Sequence, residues 1–143
     1  MKKKNNYNDI IKNIRSYYNL TQNDLSIILN INNNTIRDIE INKSKLSISL
    51  LIDIVNKFKL DLDELIMNNK FVNNKSINHF NSINNRLKYY RKKYKYSSLY
   101  LSNYLKVNKS TYLRYESGYT LINLETLLKL STLYKISLSK FLK

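Results

Sequence analysis

Apolar residues in the first half of the chain recur at intervals of three and four, which is the spacing of helices that bury one face. The pattern breaks into short stripes separated by polar residues, and each stripe suits a helix of two or three turns. The stripes are Ile10, Ile11, Ile14 and Tyr18; Leu25, Ile28 and Leu29; Ile36 and Ile39; and Leu51, Ile54, Val55 and Phe58.

Residues that favour helix N-termini stand before these stripes, because their side chains can accept hydrogen bonds from the first free backbone N–H groups. The candidate caps are Thr21 with Asp24, Asn32, Ser47, and Asp61 with Glu64. Together the stripes and caps predict five helices, over residues 8–18, 21–29, 33–40, 47–58 and 61–66.

The chain contains an internal repeat with a period of 76 residues. Shifting the sequence against itself by 76 residues, without a gap, aligns many identical residues. At other aligned positions one apolar residue stands opposite a different apolar residue. The identical pairs include Lys12/Lys88, Arg15/Arg91, Tyr18/Tyr94, Leu25/Leu101, Ser26/Ser102, Leu29/Leu105, Asn32/Asn108, Thr35/Thr111, Glu40/Glu116, Leu51/Leu127 and Leu62/Leu138. The sequence therefore predicts two copies of one unit of roughly 60 residues. We expect domains at residues 1–67 and 82–143, joined by a polar, Asn-rich linker at 68–81.

The stretch between the second and third predicted helices carries a family resemblance. "LTQNDLSIILNINNNTIRDIE" resembles the helix-turn-helix of the Cro/CI phage-repressor (XRE-like) family, and "YSSLYLSNYLKVNKSTYLRYESG" fits the same frame. The matching positions are Thr21-Gln22, Leu25-Ser26, Leu29-Asn30-Ile31, Thr35-Ile36 and Glu40, and in copy 2 Leu101-Ser102, Leu105-Lys106-Val107, Thr111-Tyr112 and Glu116-Ser117-Gly118. The resemblance implies an all-α fold with two tandem five-helix, lambda-repressor-like domains.

Some positions depart from the family pattern. Asn30 and Lys106 replace the glycine of the turn, and Asn42 replaces a later glycine; asparagine tolerates the left-handed conformation better than lysine does. The family places a glutamine at the start of the second helix, where it contacts the DNA backbone. The resemblance gives this role to Gln22, whereas copy 2 has Ser98 there.

A helical wheel separates two faces of the third helix. In copy 1 the residues opposite Ile36 and Ile39 are Asn34, Arg37 and Asp38, flanked by Asn33 and Thr35. In copy 2 the corresponding residues are Ser110, Leu113 and Arg114, flanked by Lys109 and Thr111. Any surface helix exposes polar groups in this way. The pattern alone therefore does not distinguish an inert surface from one that contacts a ligand.

The exposed side chains match the chemistry of base edges in the major groove. An asparagine amide pairs with adenine N6 and N7, and arginine or lysine with guanine O6 and N7. Asp38 could accept from cytosine N4, and Leu113 could contact a thymine methyl group. The family makes base contacts from the first turn of this helix, which the resemblance assigns to Asn33, Asn34, Lys109 and Ser110.

Arg15 and Glu40 recur in copy 2 as Arg91 and Glu116. The resemblance implies that each Arg–Glu couple forms an ion pair between the first and third helices. Such a pair would fix the tilt of the third helix, so its role is structural before any contact with phosphate.

Charge points to a polyanionic partner. The chain carries a net charge of +15, of which residues 1–75 contribute 12 basic against 8 acidic residues and residues 76–143 contribute 13 against 2. Phosphate contacts are expected from Lys43 and Lys45 after the third helix of copy 1, and from Lys92 and Lys93 before the second helix of copy 2. The predicted DNA-contacting residues are Gln22, Asn33, Asn34, Thr35, Arg37, Asp38, Lys43, Lys45, Lys92, Lys93, Lys109, Ser110, Thr111, Leu113 and Arg114.

Composition argues against other functions. The chain has no cysteine, one histidine (His79) and one glycine (Gly118). These counts disfavour a thiol nucleophile, a common zinc site and a Gly-rich phosphate loop. His79 lies in the linker, where a lone histidine is usually plain surface, and the acids from Asp61 to Glu64 suit helix capping better than catalysis. We expect no enzyme activity, cofactor, metal, small-molecule substrate or membrane span, and a cytoplasmic location.

Ile27 and Ile28 lie on the second helix where the family usually has polar residues, and Tyr104 occupies one of the same positions in copy 2. Core packing or packing between copies is the favoured explanation, and a partner site is the alternative. The leading function is a sequence-specific regulator that binds double-stranded DNA, acts as a repressor and reads adjacent major grooves with both copies. The alternative is that copy 2 has lost DNA reading and binds a protein partner or mediates homodimerisation.

If about six lysine and arginine side chains neutralise phosphates, affinity for duplex DNA is expected to fall roughly a thousandfold between 50 and 200 mM salt, because bound counterions are released. Titration of a labelled duplex at several salt concentrations measures this slope. A nearly flat dependence would contradict a phosphate-dominated interface.

Overall fold

The computed structural model describes residues 6–74 and 80–143, and the chain divides into two compact units, Met1–Ile77 (unit 1) and Asn78–Lys143 (unit 2). Within the described ranges each unit contains five α-helices, and one isolated β-bridge joins Leu60 to Asn73. The helices are α1 (Asp9–Tyr18), α2 (Gln22–Leu29), α3 (Asn33–Glu40), α4 (Ile48–Lys57), α5 (Leu62–Asn68), α6 (Ile83–Lys93), α7 (Ser98–Leu105), α8 (Lys109–Ser117), α9 (Leu124–Leu133) and α10 (Leu138–Leu142). The all-α prediction of two tandem five-helix units is confirmed. No helix in the described part is long and apolar enough to cross a bilayer.

The helix starts follow from the predicted capping side chains. Thr21 accepts a hydrogen bond from the Asp24 backbone N–H at 3.0 Å, and the Asp24 carboxylate accepts one from the Thr21 N–H at 2.9 Å, which completes the capping box. Asn32, Ser47 and Asp61 also accept hydrogen bonds from the first turns of α3, α4 and α5. Capping therefore accounts for Asp61, as the sequence predicted.

The turns that replace glycine adopt the predicted left-handed backbone. Asn30, Asn42 and Lys106 have φ angles of 53°, 62° and 57°, and Gly118 has 77°. A lysine in this conformation is strained relative to glycine, because its Cβ crowds the backbone carbonyl. The turn geometry is thus kept in both units with different residues.

The apolar stripes of unit 1 form one core. Ile11, Ile14, Leu25, Ile36 and Leu51 are completely buried, and the remaining members of the core surround them. Tyr18 and Phe58 lie at its edge, where their rings stack 4.6 Å apart.

Core packing is the wrong explanation for Ile27, Ile28 and Tyr104, because all three are exposed, by 69%, 36% and 39% respectively, while packing between the copies stays a prediction. The second helix packs through Leu25 and Leu29, which lie about 40° apart on the helix wheel. Ile28 falls about 100° from Leu29 and Ile27 lies on the far side. The apolar spacing was real, but this short helix buries only a narrow stripe.

Unit 2 builds the same core with tyrosines. Tyr90, Tyr112, Tyr115 and Tyr134 are buried at the positions where unit 1 has Ile14, Ile36, Ile39 and Phe58. The Tyr90 ring stacks on Phe141 with centroids 4.8 Å apart. The hydroxyl groups of Tyr112 and Tyr134 are buried without a hydrogen-bond partner among the described residues, and burial raises the pKa of both.

The segment predicted as a linker has contacts at both of its ends. Asn68 is the last residue of α5, the Phe71 ring stacks on Tyr17 at 4.3 Å, and the Asp61 N–H donates to the Val72 carbonyl at 2.8 Å. In unit 2 the Asn81 N–H donates to the Leu142 carbonyl at 2.8 Å. Both ends of the polar segment 68–81 therefore contain residues that pack on a unit. His79 lies outside the described residues.

The buried tyrosines predict a specific alkaline weakness. A phenol whose pKa is raised on folding stabilises the fold below its unfolded pKa of 10.0, and this contribution is lost as pH rises towards the folded pKa. At pH 11 the free energy of unfolding is expected to drop by about 1.4 kcal/mol for each of Tyr112 and Tyr134. The double variant Tyr112→Phe/Tyr134→Phe should lose less, as urea unfolding of the full chain from pH 8 to 11 would show.

Tyr17→Phe is the matched control, because the Tyr17 side chain is largely exposed. The control should follow the wild-type pH dependence. Equal losses in the double variant, the control and the wild type would refute the assignment.

Candidate nucleic-acid interface

In both units a three-residue turn joins the second helix to the third. The N–H groups of Asn30 and Ile31 donate to the carbonyls of Ile27 and Ser26, so α2 ends in a left-handed cap. Asn32 then caps α3 by accepting from the Asn34 N–H at 2.8 Å. In unit 2, Lys106 ends α7 in the same way.

The third helix of unit 2 begins without the side-chain cap that unit 1 has. Asn108, the counterpart of Asn32 in the repeat, stands at the cap position, but its side chain makes no cap hydrogen bond to α8. Its extended backbone, with φ −68° and ψ 150°, alone places it at the cap position. Asn32 and Asn108 are therefore the same residue type in the repeat but make different hydrogen bonds.

The outward face of α3 has nearly the predicted composition. Ile36 and Ile39 are buried, while the polar side chains on the opposite side and in the first turn are exposed: Asn33, Asn34, Thr35 and Arg37. Asn33 and Asn34 are thus free of the core, and the side chain of Asn32 is held by capping.

Asp38 is less exposed than the wheel predicted. Its side chain is only 24% exposed, and its Oδ1 atom is buried without a hydrogen bond from a described residue. The chain after α3 folds back here, since the N–H groups of Lys43 and Ser44 both donate to the Asp38 backbone carbonyl. Arg37 Nε lies 3.8 Å from the same Oδ1 atom, so a weak ion pair within α3 accompanies the low exposure of Asp38.

Both implied ion pairs are present. Arg15 donates from Nε to Glu40 Oε1 at 2.5 Å and from Nη2 to Glu40 Oε2 at 3.0 Å. Arg91 donates to Glu116 with the corresponding distances of 2.5 and 3.1 Å. The glutamate side chains are 4% and 7% exposed, so each pair ties the first helix of its unit to the third through an almost fully covered carboxylate.

Gln22 belongs to the ion pair of unit 1, which the sequence did not predict. Its Nε2 donates to Glu40 Oε2 at 2.7 Å. Ser98 stands at the equivalent position of unit 2, where the carboxylate hydrogen bonds described come from Arg91. One amide hydrogen of Gln22 is thus committed to Glu40, and the second can serve another acceptor.

The network sets the protonation state of Glu40. Burial acts to raise the pKa of its carboxyl group, but the hydrogen bonds from Arg15 and Gln22 and the charge of Arg15 outweigh burial, so the pKa lies below its ordinary value. A depressed folded pKa stabilises the fold above the unfolded pKa of 4.5, and that contribution is lost as pH falls through the folded pKa.

A second buried polar residue, Asn8, holds the loop that follows α3. Its Nδ2 donates to the Ser44 carbonyl at 2.8 Å, and its Oδ1 accepts from the Leu46 N–H at 2.8 Å. Lys43 and Lys45 lie in this loop with exposed side chains. The repeat contains a signal for this role, because Asn8 recurs in unit 2 as Asn84. A Cβ atom added at Gly118, just after α8, would lie 3.4 Å from Asn84 Nδ2, so this asparagine also packs close to the chain that follows the third helix.

The predicted residues of unit 2 lie on a different kind of surface. Lys109, Ser110, Leu113 and Arg114 are exposed on α8, while Thr111 is only half-exposed. Lys92 and Lys93 are exposed near the end of α6, and Lys93 Nζ lies 5.7 Å from the centre of the Tyr89 ring. Cations are therefore present in both units, but of the two third helices α3 has a polar outward face, whereas that of α8 includes Leu113.

Removal of one ion-pair partner is expected to be costly. Arg15→Gln leaves a buried carboxylate without its cation and should lower the free energy of unfolding by about 3 kcal/mol at pH 7. The deficit should be smaller at about pH 3 than at pH 7, because protonation of the carboxyl group as pH falls removes the charge that lacks its cation. Urea unfolding at both pH values measures this, and Arg37→Gln, on the exposed side of α3, serves as the control. A loss at Arg15 no larger than at Arg37 would contradict a structural role.

A family model described as helix-turn-helix matches the chain twice, at residues 11–65 and 87–141. Each match runs from the first helix of a unit to its fifth. Neither a curated protein nor a solved structure matches the chain. The two matches span most of the sequence and coincide with the two units, each with its capped turn between the second and third helices. The chain therefore belongs to the helix-turn-helix family of Cro/CI (XRE) type, a family of DNA-binding transcription regulators, and contains two tandem copies of the domain.

Proposed function

We propose that the protein is a sequence-specific repressor of transcription that reads double-stranded DNA with α3 of unit 1. The observation that carries this proposal is the outward face of α3, where Asn33, Asn34 and Arg37 are exposed on a helix held by a buried ion pair. Base recognition needs side chains with defined donors and acceptors, and it needs a rigid element beneath them.

The first turn of α3 supplies the base contacts. Asn33 and Asn34 each offer an amide that donates and accepts together, which suits the N6 and N7 atoms of adenine. Because Asn32 is used as the cap, the two following side chains are free to enter the groove. Arg37 lies one turn further on and reaches a guanine edge or a phosphate.

Phosphate contacts would surround this helix and fix its register. Lys43 and Lys45 extend from the loop that Asn8 holds in place, so their positions relative to α3 are set by buried hydrogen bonds. Gln22 at the start of α2 keeps one amide hydrogen for a phosphate oxygen while the other bonds Glu40. These contacts orient the domain on DNA and carry no sequence information themselves.

Repression follows from occupancy alone. A domain seated in the major groove prevents other proteins from using the same base pairs, so no further surface is required for this outcome. Lysines and arginines in both units raise the rate of association with DNA through the net charge of +15.

Asn33→Ala/Asn34→Ala is expected to relax sequence preference. Each bidentate amide contact discriminates by about 1–3 kcal/mol, so the ratio of affinities for the preferred and a random duplex should fall at least tenfold. Competition binding with labelled duplexes measures this ratio, and the unfolding midpoint should stay unchanged because both side chains are exposed.

Lys43→Ala/Lys45→Ala provides the contrasting control. This variant should weaken binding to all duplexes about equally and reduce the salt dependence, since phosphate contacts do not distinguish sequences. On a reporter promoter that carries the preferred site, the wild type should reduce expression and the double asparagine variant should not. An unchanged affinity ratio in the asparagine variant would defeat the proposal.

A further inference from the structure

The two units differ at the positions where unit 1 presents polar or cationic side chains around its third helix. With the 76-residue offset, four such positions become large and apolar in unit 2: Asn23/Leu99, Arg37/Leu113, Lys43/Tyr119 and Lys45/Leu121. We call Leu99, Leu113, Tyr119 and Leu121 the unit 2 apolar face.

All four side chains are exposed, two of them to an unusual degree. Tyr119 and Leu121 are 80% and 78% exposed, the highest values of any large hydrophobic side chain in the described ranges. Leu99 and Leu113 are 54% and 43% exposed. Leu113 lies on α8, and Tyr119 and Leu121 lie in the loop that follows it. Exposed apolar side chains concentrated in one segment are typical of a surface that binds another molecule.

The loop that carries two of them is held in place. The Thr120 N–H donates to the Arg114 carbonyl at 3.2 Å, and the Arg114 guanidinium lies 5.4 Å from the centre of the Tyr119 ring. Ile122, which follows Leu121, is buried in the core of unit 2. Leu121 is therefore displayed by an anchored loop.

Cations border the apolar side chains. Lys109 lies four residues before Leu113 on α8, so the two share a helix face, and Arg114 adjoins Leu113. Residues 76–143 carry 13 basic and 2 acidic residues. This charge disfavours a second copy of the same face and favours an acidic occupant.

DNA is a poor occupant for this particular surface. Leucine offers phosphate no hydrogen bond and no charge, and the cations that would serve this purpose in unit 1 are absent at three of the four positions. Burying Tyr119 and Leu121 against a charged backbone would gain little, whereas burial against apolar side chains is favourable in proportion to area.

We propose that the unit 2 apolar face binds an amphipathic helix of a protein partner, with leucine-like side chains along one stripe and aspartate or glutamate beside it. Leu113, Tyr119 and Leu121 supply the apolar contact, and Lys109 and Arg114 meet the acidic flanks. Unit 2 would thereby connect DNA bound by unit 1 to a second protein.

The test uses the full chain and two synthetic peptides labelled with fluorescein. One is an 18-residue helix with leucines at positions i, i+3, i+4 and i+7 and glutamates beside them, and the other has the same composition in an order that scatters the leucines. Fluorescence anisotropy should show at least tenfold tighter binding of the patterned peptide.

Leu113→Arg/Tyr119→Lys/Leu121→Lys restores the residues of unit 1 and should weaken the patterned peptide at least tenfold. Because these changes add positive charge, a loss of binding to an acidic peptide isolates the apolar contribution. The control Ile27→Asn/Ile41→Ser replaces exposed apolar residues of unit 1 with their unit 2 counterparts and should change binding less than twofold. If the triple variant unfolds at a lower temperature, the serine substitutions at the same three positions replace it.

Three results would overturn the inference. The first is equal binding of both peptides, or undiminished binding by the triple variant. The second is a tenfold loss of duplex DNA affinity when Leu113, Tyr119 and Leu121 are changed to alanine, which would assign the face to DNA. The third is a dimer in sedimentation equilibrium that the triple variant abolishes, which would assign it to a second copy. None of them affects the base contacts proposed for Asn33 and Asn34, which are measured separately.

Discussion

The buried ion pair between the first and third helices is the constraint on which each unit depends. Arg15 and Glu40, and Arg91 and Glu116, are joined by two hydrogen bonds each, and both glutamates are almost fully covered. A bidentate guanidinium–carboxylate contact fixes orientation as well as distance. The third helix of each unit is therefore held at a set tilt by a side-chain contact that lies outside the short turn that precedes it.

This arrangement separates the scaffold from the surface it presents. The pair, the left-handed turn and the buried positions of the third helix are the same in both units, although isoleucines in one become tyrosines in the other. The exposed positions are not under the same packing constraint. Asn33, Asn34 and Arg37 give unit 1 a polar helix face, while Leu113 and the neighbouring loop give unit 2 exposed apolar side chains beside its cations. Two copies of one scaffold can in this way bind two different kinds of partner.

Much of the fold could be predicted from local sequence signals, and the exceptions have physical causes. Capping by Thr21, Asn32 and Ser47 was predictable because it depends on residues within one turn. The exposure of Ile27 was not predictable. Helical spacing shows which residues could be buried, but it does not show how wide a stripe of the helix the neighbouring helices cover. The hydrogen bonds of Asn8 to Ser44 and Leu46 join residues far apart in sequence, and only the recurrence of an asparagine in the repeat hinted at them.

The candidate interface was likewise predictable where local sequence determines it and unpredictable where tertiary packing does. The helix face of α3 was predictable from its period, whereas the bond from Gln22 to Glu40 required the packing of α2 against α3.

Selection of bound sequences from a pool of random duplexes by the full chain tests the central claim, that unit 1 reads DNA and unit 2 has another partner. A single helix-turn-helix unit contacts one segment of major groove, whereas two units that both read DNA select two conserved elements about one helical turn, roughly 34 Å, apart. We expect one short, contiguous and asymmetric conserved element. Two conserved elements at a fixed separation would contradict the division of roles between the units.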